Sequence, residues 1–254
     1  MRDMSKAEIL CLYDEGAQVG TQLIGGKGFS VLIDVDGERT LFDTGRRGRY
    51  LTNNMDILGI EPDSVTRVVI SHGSLSHIGG LNAFMDGRKE KVEVHSHPSS
   101  WNIKRLFGGK IVSDENEPGI IHRYIGDEWI QLSRDLFLSP PMNDTSNESV
   151  LVLTTNEGAV VISACAHCGI ADTLETVSKR FGRIFAIVGG LHIQKWKQKE
   201  VNELASVIKD TYGVRKLVLN GCTGAEGIQK MRVATTNDGG KDLFVGDKIE
   251  FQTY

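Results

Sequence analysis

Leu41-Phe42-Asp43-Thr44-Gly45 and, further on, Ser71-His72-Gly73-Ser74-Leu75-Ser76-His77-Ile78-Gly79-Gly80 decide how this chain folds. Each stretch ends an apolar run and opens a glycine-rich loop, the pattern of a buried strand that stops at a rigid edge. Strand ends of this kind are where α/β layers hold ligands, and the glycines let backbone approach them closely. The same context recurs in Ala164-Cys165-Ala166-His167-Cys168-Gly169-Ile170, in Gly189-Gly190-Leu191-His192 and in Asn220-Gly221-Cys222-Thr223-Gly224. Four of the seven histidines, His72, His77, His167 and His192, therefore sit at strand ends. Neutral imidazole is a common zinc ligand, so their shared context predicts one metal site.

Working outward, Phe29–Val35, the Asp36-Gly37 turn and Thr40–Asp43 read as a hairpin. A helix over Arg49–Leu58 stopped by Gly59, a strand over Val65–Ser71, a helix over Leu81–Met85 and a strand over Val92–His95 follow. After a less legible middle, from Phe107 to Asn147 with Pro118, Pro140 and Pro141, the order repeats. Val150–Thr155 and Ala159–Cys165 make a hairpin, Thr173–Phe181 a helix, Ile184–Val188 a strand, Lys199–Tyr212 a helix and Lys216–Leu219 a strand, before closing strands at Leu243–Gly246 and Lys248–Phe251. Two halves with one order predict an α/β protein, an αββα sandwich of two mixed sheets, as a single domain over 1–254.

Composition sets the class of partner. With 254 residues, 40% hydrophobic and 24% charged, the chain is neither disordered nor fibrous. A net charge of −4 gives no electrostatic basis for nucleic acid binding, which leaves a small-molecule ligand as the expected partner. No apolar run reaches the roughly 18–20 residues of a membrane span, and Met1–Ile9 lacks a leader's apolar stretch, so the expected location is cytoplasmic. Four cysteines make no disulfide framework. Cys165 and Cys168 formally read C-x-x-C, and no redox use is expected of them.

Taken with its spacing, the series resembles the metallo-β-lactamase superfamily, and within it the branch named for a dihydropterin–ribofuranosylaminobenzene phosphate synthase. Matching stretches are Leu41–Gly45, Ser71–Gly80, His97-Pro98, Ala164–Ile170, Gly189–His192, Gly221–Gly224 and the closing Val245–Phe251. The resemblance implies one metal at the positions of His72, Ser74 and His167, and a second at those of Ser76, His77 and Gly221. Three of those six positions, Ser74, Ser76 and Gly221, carry no ligand side chain here. Neutral serine hydroxyls cannot balance a divalent charge, so at most one ion is expected, zinc or another divalent metal, on His72, His77, His167 and His192. Cys222 and His97 are possible additional ligands. The resemblance gives Asp43 the role of buttressing the metal loop, and Asp43 and His192 are the expected catalytic residues. It implies hydrolysis or transfer on a small phosphorylated or pterin-like substrate. The alternative is a non-catalytic descendant whose pocket binds a small molecule or a protein. Restoring Ser74→His, Ser76→Asp and Gly221→His is expected to rebuild a second metal position.

Other residues are expected to be structural. His95 and His122 show no partner signal, and Glu148 reads equally as a solvated carboxylate. Trp101, Phe107 and Trp196 are candidates to line a pocket for a flat ligand, with burial as their default. Gly25-Gly26-Lys27-Gly28 lacks the spacing of a phosphate loop and reads as a segment at the site's mouth.

Overall fold

The computed structural model describes residues 5–103, 110–142, 145–235 and 240–254. Two seven-stranded mixed sheets face each other. In the first, β1 (Lys6–Tyr13), β2 (Ser30–Val35), β3 (Glu38–Phe42), β4 (Arg67–Val69), β5 (Val92–Ser96) and β6 (Ile120–Tyr124) lie in sequence order. The second takes β7 (Ile130–Gln131), β8 (Leu136–Leu138), β9 (Leu151–Thr155), β10 (Gly158–Ser163), β11 (Ile184–Gly189), β12 (Lys216–Leu219) and β13 (Lys241–Asp242). The closing strand β14 (Lys248–Gln252) returns to the first sheet beside β1.

Each sheet begins antiparallel and turns parallel after a hairpin: β2–β3 is antiparallel and β3–β4–β5 parallel, while β9–β10 is antiparallel and β10–β11–β12 parallel. The first hairpin turns on Asp36 and Gly37, both with positive φ, the conformation a two-residue turn between twisted strands requires. Parallel strands need crossovers, and helices supply them. These are α1 (Gly48–Ile57), α2 (Leu75–Ile78) and α3 (Leu81–Asp86) in the first half. In the second they are α4 (Ile170–Phe181) and α5 (Gln198–Ser206), the latter continued by a π-helical turn over Val207–Thr211; α6 (Ala225–Ala234) follows β12.

Alternation along the strands sorts side chains into three apolar layers. Ile9, Cys11, Val31 and Ile33 meet Leu151, Leu153, Val160, Ile162 and Val188 between the sheets. Leu10, Leu12, Leu32 and Leu41 face outward to Leu51 and Met55 of α1 and Leu81 and Phe84 of α3. Val161 and Ile187 face Leu174 and Val177 of α4 and Val201 and Leu204 of α5. The αββα order predicted from the repeated pattern is the one found, and each half-pattern supplies one sheet.

Strand β1 and helix α6 have no counterpart in the sequence reading. Because β1 is covered on both faces, Ile9-Leu10-Cys11-Leu12-Tyr13 shows an apolar run instead of alternation. The Lys199–Tyr212 helix keeps its span but changes winding at Val207, and the closing strand predicted at Leu243–Gly246 is displaced to Lys241–Asp242. Among the described residues no helix is long and apolar enough to cross a membrane.

Candidate metal centre

The residues singled out at strand ends meet at one edge of the sandwich, past the C-terminal ends of β3, β4, β10, β11 and β12. One backbone bond, Ser149 N–H to Ser71 O at 2.9 Å, joins the two halves there. The cavity, of about 260 Å³, is lined by His72, His77, His167, His192, Cys165 and Cys222, with Glu15, Lys27, Gly28, Phe29, Ser74, Ser76 and Gln194 completing its wall. Ring centroids run His77–His72 4.3 Å, His72–His167 4.8 Å and His167–His192 4.7 Å.

Asp43 builds the first wall from beneath. It is fully buried, with φ +60°, and it does not line the cavity. Its carboxylate accepts the Ser71 N–H at 2.7 Å and the Ser71 hydroxyl at 2.7 Å, and lies 2.6 Å from His77 Nδ1. This accounting fixes both imidazoles. The Ser71 hydroxyl gives its proton to Asp43, so His72 Nδ1, 2.9 Å from Ser71 Oγ, is the donor in that contact and Nε2 keeps the lone pair. His77 is likewise held through Nδ1, with Nε2 facing inward, 3.3 Å from Cys165 Sγ. Burial pushes Asp43 up to about 7 and both His72 and His77 down to about 4, so the rings are neutral at neutral pH, the form that ligates metal. Asp43 therefore buttresses the loop through Ser71 and His77, the place the resemblance implies for it.

Glu148 builds the second wall. Its carboxylate, 1% exposed, accepts three backbone N–H groups: Cys165 at 2.8 Å, Ala166 at 3.1 Å and His167 at 2.8 Å. The pinned loop carries Ala166 at φ +63°, a conformation that costs a β-carbon residue energy and that tends to gather at functional sites. Both Cys165 and His167 line the cavity from this loop. The donor atoms of His72, Cys165 and His167 all lie within 4.8 Å of one another. Donor atoms this close are within reach of one ion, and two imidazoles with a thiolate are the ligand types zinc takes. The residues present fit one divalent ion.

Of the predicted ligands, His72 and His167 are in this trio. His77 and His192 flank it, His192 at φ +53° and 3.6 Å from Cys222 Sγ through Nδ1. Cys165 was missed, although its spacing from His167 was the available signal. His97 stays outside the cavity: its Nδ1 accepts the Ser99 N–H at 3.2 Å and caps a short turn at Pro98–Trp101. His95 is buried within 3.5 Å of Glu93, and His122 pairs with Glu117 at 2.8 Å. Trp101 donates to Ser96 Oγ and packs under the first sheet, Trp196 is on the surface, and Phe107 lies outside the described residues; Phe29 is the aromatic ring at the cavity. Lys27 lines the cavity beside Gly28, whose φ of +134° and position against Ser76 O leave no room for a side chain.

The three substituted positions have new occupants or new tasks. Ser74 caps α2 by accepting the Ser76 N–H at 3.4 Å, and the two serine hydroxyls are 3.2 Å apart. At Gly221 the space for a side chain is filled: a β-carbon there would lie 2.4 Å from Glu15 Cγ. The neighbouring Asp14 carboxylate accepts the Gly221 N–H at 2.9 Å, and burial raises Asp14 to about 7. A histidine at 221 therefore requires the exposed Glu15 side chain, which follows the unrecognised strand β1, to move aside.

Comparison with known proteins agrees with this fold. The chain is 23% identical, over 85% of its length and 87% of the relative's, to the 7,8-dihydropterin-6-methyl-4-(β-D-ribofuranosyl)-aminobenzene-5′-phosphate synthase of Methanocaldococcus jannaschii. Its fold matches the crystal structure of Tm1679, a metal-dependent hydrolase of the β-lactamase superfamily, at 26% identity with a TM-score of 0.79 over 97% of this chain and 99% of that one. It also matches YhfI from Bacillus subtilis, a metallo-β-lactamase fold protein, at 11% identity and a TM-score of 0.67 over 96% and 99%. The model of the metallo-β-lactamase superfamily matches residues 23–175, the span that holds both pinned loops, and the chain belongs to that superfamily.

Proposed function

We propose that this protein is a metal-dependent hydrolase or transferase with a mononuclear site, acting on a small phosphorylated or pterin-like substrate. The observation that carries this reading is the convergence of His72, Cys165 and His167 in one cavity that a cation, Lys27, also lines. A divalent ion on that trio supplies Lewis-acid polarisation of a phosphoryl or carbonyl oxygen. The chain's own groups do the rest. Asp43 and Ser71 hold the His72 and His77 tautomers, and Glu148 fixes the path of the Cys165–His167 loop. Lys27 pairs with substrate charge, and the cavity, small beside typical ligand pockets of about 300–1,000 Å³, admits one ring or one phosphate at a time. The likeness to a synthase of a phosphorylated dihydropterin compound supports the substrate class.

Elemental analysis of protein purified without added metal tests this. Near one equivalent is expected, falling towards zero in His72→Ala. Cys165→Ser should weaken zinc binding by more than the roughly 10–100-fold typical of outer-shell changes. Absence of metal from the parent, or equal content in all three proteins, would favour the non-catalytic scaffold, for which the serines at 74 and 76 and the filled space at Gly221 already speak.

A further inference from the structure

We propose that Cys165 and Cys222 form a reversible intrachain disulfide in the floor of the cavity, made when a hydroperoxide reaches Cys222. Their sulfurs lie 2.8 Å apart, well inside the contact distance of unbonded sulfur atoms. The two residues come from different crossovers, yet one side chain ties them together: Asn220 Oδ1 accepts the Cys222 N–H at 3.0 Å, and its Nδ2 donates to Ala164 O at 2.9 Å. Glu148 holds the Cys165 N–H from the other side at 2.8 Å. The backbone on both sides is thus held while the two sulfurs stand in contact.

The two thiols differ in access and in neighbours. Cys222 is partly exposed and lines the cavity, so an oxidant meets it first; Cys165 is buried. His77 Nε2 lies 3.3 Å from Cys165 Sγ, and His77 Nδ1 is held by Asp43 at 2.6 Å, so the imidazole packs against the buried sulfur. In the first step the Cys222 sulfur attacks the peroxide O–O bond. An S–O bond forms, the O–O bond breaks, the thiol proton goes to the departing oxygen, and an alcohol or water leaves. In the second, Cys165 attacks the sulfenic sulfur. The S–S bond forms, the S–O bond breaks, and the thiol proton leaves with the departing hydroxide as water. Two thiols are oxidised and one hydroperoxide is reduced, and a dithiol reverses the change. The C-x-x-C partner is not involved, because Cys168 Sγ turns towards Thr173 Oγ1 at 3.3 Å, at the start of α4.

The inference goes beyond the proposed enzymatic reading and stands without it, though the disulfide would take Cys165 out of the donor trio. Full-length protein freed of metal by chelator is treated with stoichiometric hydrogen peroxide. The intact mass should fall by about 2 Da, as expected for one disulfide. Proteolysis should yield one joined peptide pair containing 165 and 222, and dithiothreitol should restore both thiols. Cys168→Ser should cross-link like the parent, whereas Cys222→Ser should leave Cys165 open to alkylation. A Cys165–Cys168 link, or Cys222 driven to the sulfinic acid, about 32 Da heavier, with Cys165 still a free thiol, overturns the proposal. Cross-linking slowed at least tenfold by Zn²⁺ supports both readings. Cross-linking at the same rate with and without Zn²⁺ supports the disulfide and counts against the metal site.

Discussion

The cavity has two pinned loops, and they are pinned differently. The loop from β4 is held through side chains: Asp43 grips Ser71 Oγ and His77 Nδ1 as well as one N–H. The loop from β10 is held through backbone alone, by the three N–H groups that Glu148 accepts. A carboxylate bonded to side chains sets the tautomer and aim of a donor. One bonded to backbone sets only the loop's path, leaving the side chains free to be Cys165 and His167. The first arrangement couples ligand chemistry to stability, and the second separates them.

The most direct way to break this comparison is to remove each carboxylate. Glu148→Ala strips three charge-assisted bonds and leaves buried N–H groups unpaired, so unfolding by denaturant should show a loss of about 3–5 kcal/mol. Asp43→Asn keeps the shape and an acceptor, and should cost about 1–2 kcal/mol. Its zinc affinity should fall roughly 10–100-fold, because His77 and His72 lose the group that orients them. If Asp43→Asn binds zinc like the parent, the two anchors are equivalent and the contrast is gone.

A pH series on metal-free protein sharpens the contrast at its edge. Asp14 titrates near 3.8 when unfolded and at about 7 when folded. Between those values the folded chain holds a proton on Asp14 that the unfolded chain has released, so the Asp14 contribution to stability falls as pH rises through this window and levels off above it, and Asp43, raised alike, adds in the same sense. His72 and His77, at about 4 in the fold against 6.5, act in the opposite sense between those values, and equally in parent and variant. Asp14→Asn, which keeps an acceptor for the Gly221 N–H, should therefore match the parent near pH 3.5 and exceed it by about 2 kcal/mol or more at pH 8. A difference independent of pH would show that Asp14 is not the proton holder.

Smaller effects come from the substituted positions. Gly221→His alone should cost about 1–3 kcal/mol by overpacking against Glu15, and Glu15→Gly in the same chain should recover most of it in a double-mutant cycle. Calorimetric titration should detect a second zinc only when Ser74→His, Ser76→Asp and Gly221→His are combined with Glu15→Gly. A second ion in the triple variant, Glu15 unchanged, would contradict the filled space. The weakest expected signal is turnover of a chromogenic β-lactam or a bis-aryl phosphate, which should stay well below about 1 s⁻¹ because position 76 carries no carboxylate.

Much of this is legible in the sequence, for a physical reason. Hairpins with Asp-Gly turns and strands ending in glycine declare themselves locally, and the repeated order of elements followed from such local signals. So did the gathering of His72, His77, His167 and His192. What escaped lay where local signals fail. Strand β1 is buried on both faces and shows no alternation, and with it went Asp14 and Glu15. Glu148 looks like any carboxylate in sequence, since its three partners lie 17 to 19 positions away. Cys165 was discounted beside Cys168, when its sulfur neighbour is Cys222, 57 positions on. Pairings across that distance are set by the sheets, not by spacing.

The Glu15 side chain against Gly221 also fixes an order of events. A histidine arriving at 221 while Glu15 is present meets a carbon at 2.4 Å and lowers fitness through folding before any metal can reward it. Shortening residue 15 first opens the space at no such penalty. Any laboratory lineage selected for two-metal chemistry should therefore change position 15 before position 221, and libraries that randomise 221 alone should return glycine.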